Sequence, residues 1–208
     1  MDRVSLTAVE DFERIVQSQR PAAAPWVPVL DYSLEERRRV EGPHARLIRD
    51  VLTPTTVLDV GCGPGHLVTM LRELGMDAEG VDKPQFNVVT ARTVAALTHV
   101  RSGGVPLTSD LVICREVLEH LTLHEIRQAV PTLCGLSSRL VYATTRFSSD
   151  HDLLRVDTRD NLDPTHITMM SKDLLRVLFI LEGFRARIDL EAQMDWKHLG
   201  RCVVYERV

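Results

Sequence analysis

Apolar residues along this chain alternate between short, nearly continuous runs and longer stretches with helical spacing. The short runs predict buried strands, and the stretches between them predict amphipathic helices. We predict seven strands, at 56–60, 77–82, 86–91, 110–114, 139–145, 185–190 and 201–206. Helices are predicted from Gly65 through Leu74 and over 171–182. Strands that alternate with helices are typical of a parallel sheet covered on both faces, so the pattern indicates an α/β fold.

The N-terminal segment departs from this alternation. Residues 5–19 have the spacing of an amphipathic helix, and three prolines within 21–28 then exclude regular structure. Ser33 and Glu36 form a potential capping box for a second helix, which either ends at 42–43 or continues toward Leu52. We therefore predict a helical extension over 1–44 and a single α/β domain over 45–208.

The first predicted strand ends in a turn dense in glycine. Residues 57–65 read VLDVGCGPG, and the second strand ends in GVD at 80–82. A strand, a glycine turn and a carboxylate at the end of the next strand are the arrangement by which α/β sheets hold adenosine-containing cofactors. Glycine lets the backbone approach a ligand closely, and Asp82 is placed to accept hydrogen bonds from a ribose diol.

The same residues indicate which cofactor is bound. A dinucleotide fingerprint requires glycine at position 66, where this chain has His66. Asp59 lies two residues before the first glycine, and its carboxylate suits a cationic ligand better than a pyrophosphate. S-adenosylmethionine (SAM) carries a sulfonium and an ammonium group together with an adenosine. The turn therefore favours SAM, with an unliganded structural turn as the alternative.

Composition and charge limit the kinds of protein and of binding partner that the sequence allows. The chain has 208 residues, 44% of them hydrophobic, and a net charge of −4. These values suit one globular domain and give no footprint for a long nucleic-acid duplex, although a local basic patch stays open. No apolar run reaches membrane-spanning length. The cysteines contain no C-x-x-C pair, which favours a reducing cytoplasm: they are Cys62, Cys114, Cys134 and Cys202.

These motifs together resemble the class I SAM-dependent methyltransferases. Residues 57–65 are similar to motif I of that family, 80–82 to motif II, and 110–121 to its fourth strand and following helix. The resemblance implies a Rossmann-like sheet of seven mostly parallel strands with helices on both faces, an antiparallel last strand, and an N-terminal extension over the site. It assigns cofactor contacts to Asp59, Gly61, Cys62, Gly63, Pro64, Gly65, Asp82, Lys83 and Arg115. Arg92 stands where many relatives have an adenine-binding acid.

A second group of residues carries potential chemistry. Glu116, Glu119 and His120 are spaced i, i+3 and i+4, so on a helix they share one face. His166 follows later, in a turn set by Asp163 and Pro164. Two carboxylates and two imidazoles suit a divalent cation. The alternative is that no metal binds and that His120 or His166 acts as a general base.

This second group also has counterparts among relatives. It resembles the metal-binding sets of ubiquinone-biosynthesis O-methyltransferases and of small-RNA 3′-end 2′-O-methyltransferases. The residues favour an enzyme that methylates a hydroxyl of a small metabolite, because carboxylates and histidines suit hydroxyl activation. RNA 3′-end 2′-O-methylation is the alternative within enzymes. A catalytically inactive SAM-binding partner subunit is the alternative outside them.

Overall fold

The computed structural model describes residues 34–82, 108–148, 154–155 and 166–208. Three sequence predictions lie outside these residues: the helix at 5–19, the strand at 86–91 and the position of Arg92. The proposed division between an extension and a domain at residue 44 stays a prediction. Residue 44 itself lies inside a helix that runs from Leu34 to Leu47.

Helices and strands alternate through the described part of the chain. The helices are α1 (Leu34–Leu47), α2 (His66–Glu73), α3 (Leu123–Leu136), α4 (Lys172–Leu181) and α5 (Ile188–Met194). The strands are β1 (Thr56–Val60), β2 (Asp77–Val81), β3 (Ser109–Arg115), β4 (Ser137–Thr144), β5 (Leu154–Arg155), β6 (Met169–Met170), β7 (Phe184–Ala186) and β8 (Cys202–Arg207). The first helix continues through Pro43 and ends in a π-helical turn at Ile48–Leu52, the longer of the two predicted extents.

Six of these strands form one sheet in the order β2-β1-β3-β4-β8-β7. The pairs among β2, β1, β3 and β4 are parallel, and β8 runs antiparallel to both β4 and β7. The predicted mostly parallel sheet with an antiparallel last strand is therefore confirmed, with six strands rather than seven in the described residues. Strands β5 and β6 form a separate antiparallel pair.

The sheet is buried on both faces by helices. On one face, Leu111 and Ile113 of β3 belong to the core cluster that includes residues of α1, α2 and α5. On the other face, Val112 and Cys114 belong to the cluster that includes residues of α3 and α4. Since successive side chains of a strand point to opposite faces, this alternation shows that β3 lies at the centre of the fold.

One predicted strand is largely wrong. Residues 185–190 were expected to form a strand, but β7 ends at Ala186 and α5 begins at Ile188. The alternating apolar residues of this segment resemble a strand pattern, yet Ile188 is 54% exposed. Glu191 and Met194, three residues apart on the helix, are the buried ones. Their helical spacing, and not the alternation, decides the local structure.

None of the helices in the described ranges is long and apolar enough to cross a membrane.

A buried histidine joins α1 to the sheet. His44 Nε2 lies 2.8 Å from the hydroxyl of Tyr142 on β4, and its ring stacks on Trp196 with centroids 5.7 Å apart. Burial, and then the charges of Arg115 and Lys197, lower the pKa of His44 to about 3. In the folded protein the imidazole of His44 is therefore neutral near pH 7.

This buried imidazole predicts acid sensitivity. The unfolded chain protonates His44 near pH 6.5, whereas the folded chain does so only near pH 3. Its contribution to the unfolding free energy is therefore complete above pH 6.5 and is lost as the pH falls toward 3. We expect His44→Gln to remove about 1.4 kcal/mol per pH unit from the slope of unfolding free energy over this window. Urea denaturation at a series of pH values measures it.

The exposed His124 on α3 provides the matched control for that experiment. His124→Gln should retain the wild-type slope, because this side chain is exposed and takes no part in the buried contact of His44. A His44→Gln protein with the same slope as the wild type would show that His44 titrates normally in the fold.

Candidate cofactor and catalytic site

The glycine turn after β1 is tied to the end of β2. Gly61, Gly63 and Gly65 all have backbone φ angles in the left-handed region, at 83°, 53° and 82°. The Gly61 N–H donates to the Val81 carbonyl at 2.8 Å, and the Gly63 N–H donates to Asp82 Oδ2 at 2.6 Å. The turn and the acid predicted to bind ribose are therefore in direct contact at the carboxyl edge of the sheet.

Two glycines of this region are required by close packing. A Cβ on Gly61 would lie 2.3 Å from Cγ2 of Val117, which follows β3. A Cβ on Gly80 would lie 2.8 Å from the Sγ of Cys62 and 2.7 Å from Cγ2 of Val68. The thiol of Cys62 thus packs against β2, which explains why a small side chain occupies the middle of the turn. Pro64 and Gly65 complete the turn before α2 begins at His66.

An acidic residue, Asp59, and a basic residue, Arg115, lie beside the turn, and the described residues only partly satisfy the polar atoms of either one. Asp59 on β1 is 3% exposed, and burial raises its pKa to about 7, with the charges of Glu41 and Asp82 adding to the effect and Arg115 opposing it. Arg115, at the end of β3, lies 3.4 Å from Glu41 of α1. Its Nε atom is buried and has no hydrogen-bond partner in the described residues. This pair offers opposite charges to a zwitterionic ligand.

Sequence reasoning assigned no role to Glu41 of α1. The carboxylate accepts a hydrogen bond from Arg37 at 2.9 Å and faces Arg115. The i, i+4 spacing of Arg37 and Glu41 is visible in the sequence, but the approach of α1 to the end of β3 is a tertiary contact. No local pattern could have revealed it.

The predicted helix carrying Glu116, Glu119 and His120 does not form, and this prediction is wrong. Glu116 follows β3 with a left-handed φ of 51°, and Leu118–His120 is a single 3-10 turn. The helix begins later, because Thr122 and Glu125 form a reciprocal capping box. Glu116 therefore does not share a helix face with the other two residues, although its carboxyl group lies close enough to Glu119 to raise the pKa of that residue.

The structure nevertheless brings Glu119, His120 and His166 together. One candidate ligand atom from each residue lies within 4.8 Å of the other two, and Glu116 is not part of this cluster. The Glu119 carbonyl accepts hydrogen bonds from the N–H groups of Ile167 and Thr168, at 2.8 and 3.2 Å. These bonds hold the segment after His166 against the 3-10 turn, so that the two imidazole centroids lie 4.6 Å apart.

The environment of Glu119 strongly perturbs its carboxyl group. Its side chain is 0% exposed, and Oε2 accepts a hydrogen bond from the Thr145 hydroxyl at 2.9 Å. The other oxygen, Oε1, is buried without a hydrogen-bond partner in the described residues. Burial, and then the charge of Glu116, raise the pKa of Glu119 to about 8. A buried carboxylate with an open acceptor is strongly stabilised by a nearby cation.

The predicted site residues thus fall into two neighbouring groups at one edge of the sheet. Residues 59–65, Asp82 and Arg115 lie at the ends of β1, β2 and β3, and the Glu119 cluster follows β3. Lys83 and Asp163 lie outside the described residues. Thr145, which sequence reasoning also missed, directly follows β4 and contacts the second group.

Comparison with known proteins places this geometry in a family. The chain matches the methyltransferase domain family over residues 32–187. It is 34% identical over 88 residues to a ubiquinone biosynthesis O-methyltransferase of Rickettsia felis, a match covering 38% of this chain and 35% of that protein. The chain thus spans about a third of the length of this curated relative.

Solved structures share the fold at low sequence identity. A SAM-dependent methyltransferase from Archaeoglobus fulgidus has a TM-score of 0.57 at 17% identity, with 85% of this chain and 100% of that chain covered. Magnesium protoporphyrin IX methyltransferase from Synechocystis with bound S-adenosylhomocysteine (SAH) has a TM-score of 0.55, also at 17% identity, with 96% and 95% covered. The glycine turn, the acid after β2 and these matches agree: the chain belongs to the methyltransferase domain family and has the class I SAM-dependent methyltransferase fold.

Proposed function

We propose that this protein is an enzyme that transfers a methyl group from SAM to a hydroxyl oxygen of a small molecule. The observation that carries the proposal is the position of the Glu119, His120 and His166 cluster directly after β3, beside the glycine turn. Groups suited to activating a hydroxyl therefore neighbour the place where the fold family holds its methyl donor. The O-methyltransferase named among the relatives supports oxygen as the acceptor.

In this proposal the cofactor lies across the ends of β1, β2 and β3. Asp82 accepts hydrogen bonds from the ribose diol, and the backbone of residues 61–65 approaches the cofactor closely. Asp59 and Arg115 face the charged methionine end, where a carboxylate and a guanidinium suit the ammonium and carboxylate of the ligand. Binding a cation favours the ionised form of Asp59, whose pKa is about 7 without ligand.

Without a bound cation, the imidazole of His120 or of His166 takes the proton of the acceptor hydroxyl. Histidine is suited to this step because its ordinary pKa lies near neutrality. Transfer then requires the oxygen in line with the sulfonium methyl, and fixing that alignment is itself a large contribution to rate. Thr145 orients the Glu119 carboxylate through its hydroxyl, at 2.9 Å, and so positions the neighbouring imidazoles.

A divalent cation fits this cluster. Ligand bonds of about 2.1 Å place two ligands of one ion at most about 4.2 Å apart, so the three ligand atoms, which lie within 4.8 Å of one another, would draw slightly closer around an ion. The unpartnered Oε1 of Glu119 supplies an anionic oxygen, and His120 and His166 supply nitrogens. When bound, the cation lowers the pKa of an acceptor hydroxyl. The structure favours this three-residue set over the four-residue set of the sequence prediction, since Glu116 lies outside it.

Two other functions are weaker. An RNA 3′-end substrate needs cationic and aromatic surfaces for a nucleic acid, whereas the chain carries a net charge of −4. An inactive SAM-binding subunit leaves the buried Glu119 and the paired imidazoles without a role.

The four cysteines are free thiols, which supports a cytoplasmic location.

Calorimetric titration with SAM and SAH tests the cofactor assignment. We expect both to bind, and we expect Asp82→Asn to weaken binding about 10- to 100-fold, because hydrogen bonds to a charged group contribute about 1.5–3 kcal/mol. Asp77→Asn, on an exposed residue at the opposite end of β2, is the matched control and should bind as the wild type does. Absence of heat with both ligands would refute the assignment.

A further inference from the structure

A cavity lies at the carboxyl end of β4, and the glycine turn does not line it. Its volume is about 540 Å³, and three chain segments line it: residues 146–148 after β4, residues 169–176 around the start of α4, and residues 199–201 before β8. Because β8 is antiparallel to β4, its first residues meet the end of β4 at this edge. The cavity therefore opens on the same edge of the sheet as the proposed active site.

The lining of this cavity is strongly basic. Four cationic side chains contribute to it, namely Arg146, Lys172, Arg176 and Arg201, against the single acid Asp173. The carboxylate of Asp173 is 86% exposed and so offsets little of this charge. Since the whole chain carries a net charge of −4, a concentration of positive charge in one concavity is a local feature.

Two of these cations have no ion-pair partner among the residues that the structure describes. Lys172 and Arg176 lie 3.9 and 3.2 Å from Glu191, but Arg146 and Arg201 have no ion-pair partner in the described part of the chain. The Nε of Arg146 is buried and makes no hydrogen bond there. A buried donor without an acceptor costs about 1–3 kcal/mol, and a bound anion would remove this cost.

The remaining walls are apolar. Phe147, Met169 and Leu199 line the cavity beside the cations, and Lys172 Nζ lies 5.4 Å from the centroid of the Phe147 ring. A free inorganic ion would leave these surfaces uncovered. The combination of apolar walls with guanidinium groups that no described acid neutralises fits an organic molecule that bears an anionic group.

The cavity adjoins the proposed catalytic cluster. Thr145, whose hydroxyl donates to Glu119, directly precedes Arg146 in the chain, and its N–H donates to the Arg201 carbonyl at 3.1 Å. Met169 lies three residues after His166. The cavity therefore adjoins the cluster through Thr145 and through the segment that joins His166 to Met169.

We propose that this basic cavity binds the anionic group, a carboxylate or a phosphate, of the methyl acceptor. Arg146 and Arg201 form the charged hydrogen bonds, and Phe147 and Met169 contact the body of the molecule. The assignment of the ligand as the acceptor rests on the proposed function. The binding of an organic anion is independent of the proposed function, because it is argued from the residues that line the cavity.

Calorimetric titration with three simple probes tests the proposal: benzoate, phenyl phosphate and the neutral benzyl alcohol. We expect benzoate or phenyl phosphate to bind at least about tenfold more tightly than benzyl alcohol, because hydrogen bonds between ionised partners are the stronger ones. The tighter of the two identifies the anionic group. This preference should weaken as sodium chloride rises from about 0.05 M to about 0.5 M. Equal affinity for all three probes would overturn the proposal.

Variants of the cavity residues test where the anionic probe binds. Arg146→Gln and Arg201→Gln should each weaken the better anion about tenfold and leave SAM affinity unchanged, whereas Arg127→Gln, an exposed residue of α3, should alter neither. Wild-type anion affinity in both cavity variants would overturn the proposal, as would an equal loss of SAM affinity, which would assign the cavity to the cofactor. If a variant does not fold, Arg201→Lys and the salt dependence of the wild type decide. Failure of the wild type to bind SAM would refute the proposed function and leave the anion result standing.

Discussion

Gly61→Ala should destabilise the protein by about 2–5 kcal/mol. The new Cβ would lie 2.3 Å from Cγ2 of Val117, at a backbone φ of 83°. The left-handed backbone costs a non-glycine residue about 1–2 kcal/mol, and overpacking adds about 1–3 kcal/mol. We also expect SAM affinity to fall more than about tenfold, which corresponds to 1.4 kcal/mol, because the N–H groups of the turn must move. Urea denaturation and calorimetry measure the two effects.

Two further variants separate the clash from the backbone strain. A Cβ on Gly63 meets no atom within 4 Å, although its φ of 53° is also left-handed. Gly63→Ala should therefore cost only the backbone part, about 1–2 kcal/mol. Adding Val117→Ala to Gly61→Ala removes the colliding methyl and should recover part of the loss. Equal destabilisation by the two glycine variants would show that Val117 yields freely and that the close packing has no consequence.

The sheet and its glycine turn could be predicted from the sequence because local signals determine both. The apolar runs at 56–60 and 110–114 match β1 and β3, since strands buried on both faces lack the alternation of exposed ones. The cofactor turn follows from glycines whose left-handed φ angles other residues adopt only at a cost. Asp82 lies beside the turn because β1 and β2 are parallel neighbours, so that their carboxyl ends meet at the same edge of the sheet.

Predictions failed where two local patterns competed. The i, i+3, i+4 spacing of Glu116, Glu119 and His120 suggested a helix, but Thr122 and Glu125 form a capping box that starts the helix after them. The capping box was visible in the sequence and is the stronger signal, because it satisfies two N–H groups that the first turn leaves without partners. Likewise, the apolar alternation through 186–190 suggested a strand, and the burial of Glu191 and Met194 from one helix face decided otherwise.

Contacts between distant segments have no local signal in the sequence. Burial of His44 against Tyr142 and Trp196, and of Glu41 near Arg115, depends on how α1 docks on the sheet. The meeting of His166 with His120 depends on backbone hydrogen bonds between segments far apart in the chain. The sequence did predict that His166 belongs with Glu119 and His120, through the family resemblance rather than through local structure.

The largest expected effect on activity is that of changing Glu119 or His166. Glu119→Gln keeps the shape of the side chain and an oxygen for the Thr145 hydroxyl, but it removes the carboxylate charge. If the carboxylate only braces the turn, this variant is mild, since the raised pKa of about 8 already makes the group largely neutral near pH 7. If it holds a cation together with His120 and His166, the charge is essential.

We expect Glu119→Gln and His166→Ala each to lower kcat/KM about 10²- to 10⁴-fold, the usual range for losing acid–base assistance. The assay follows methyl transfer from labelled SAM to an acceptor found by screening small hydroxylated compounds, with SAM affinity measured in parallel and expected to be unchanged. His124→Gln, an exposed histidine just beyond the cluster, should retain full activity. Glu116→Gln should reduce activity much less than Glu119→Gln, because only Glu119 belongs to the cluster. Equal losses in the two would favour the four-residue set. Full wild-type turnover in the presence of a chelator would exclude the cation and leave His120 and His166 as the general bases.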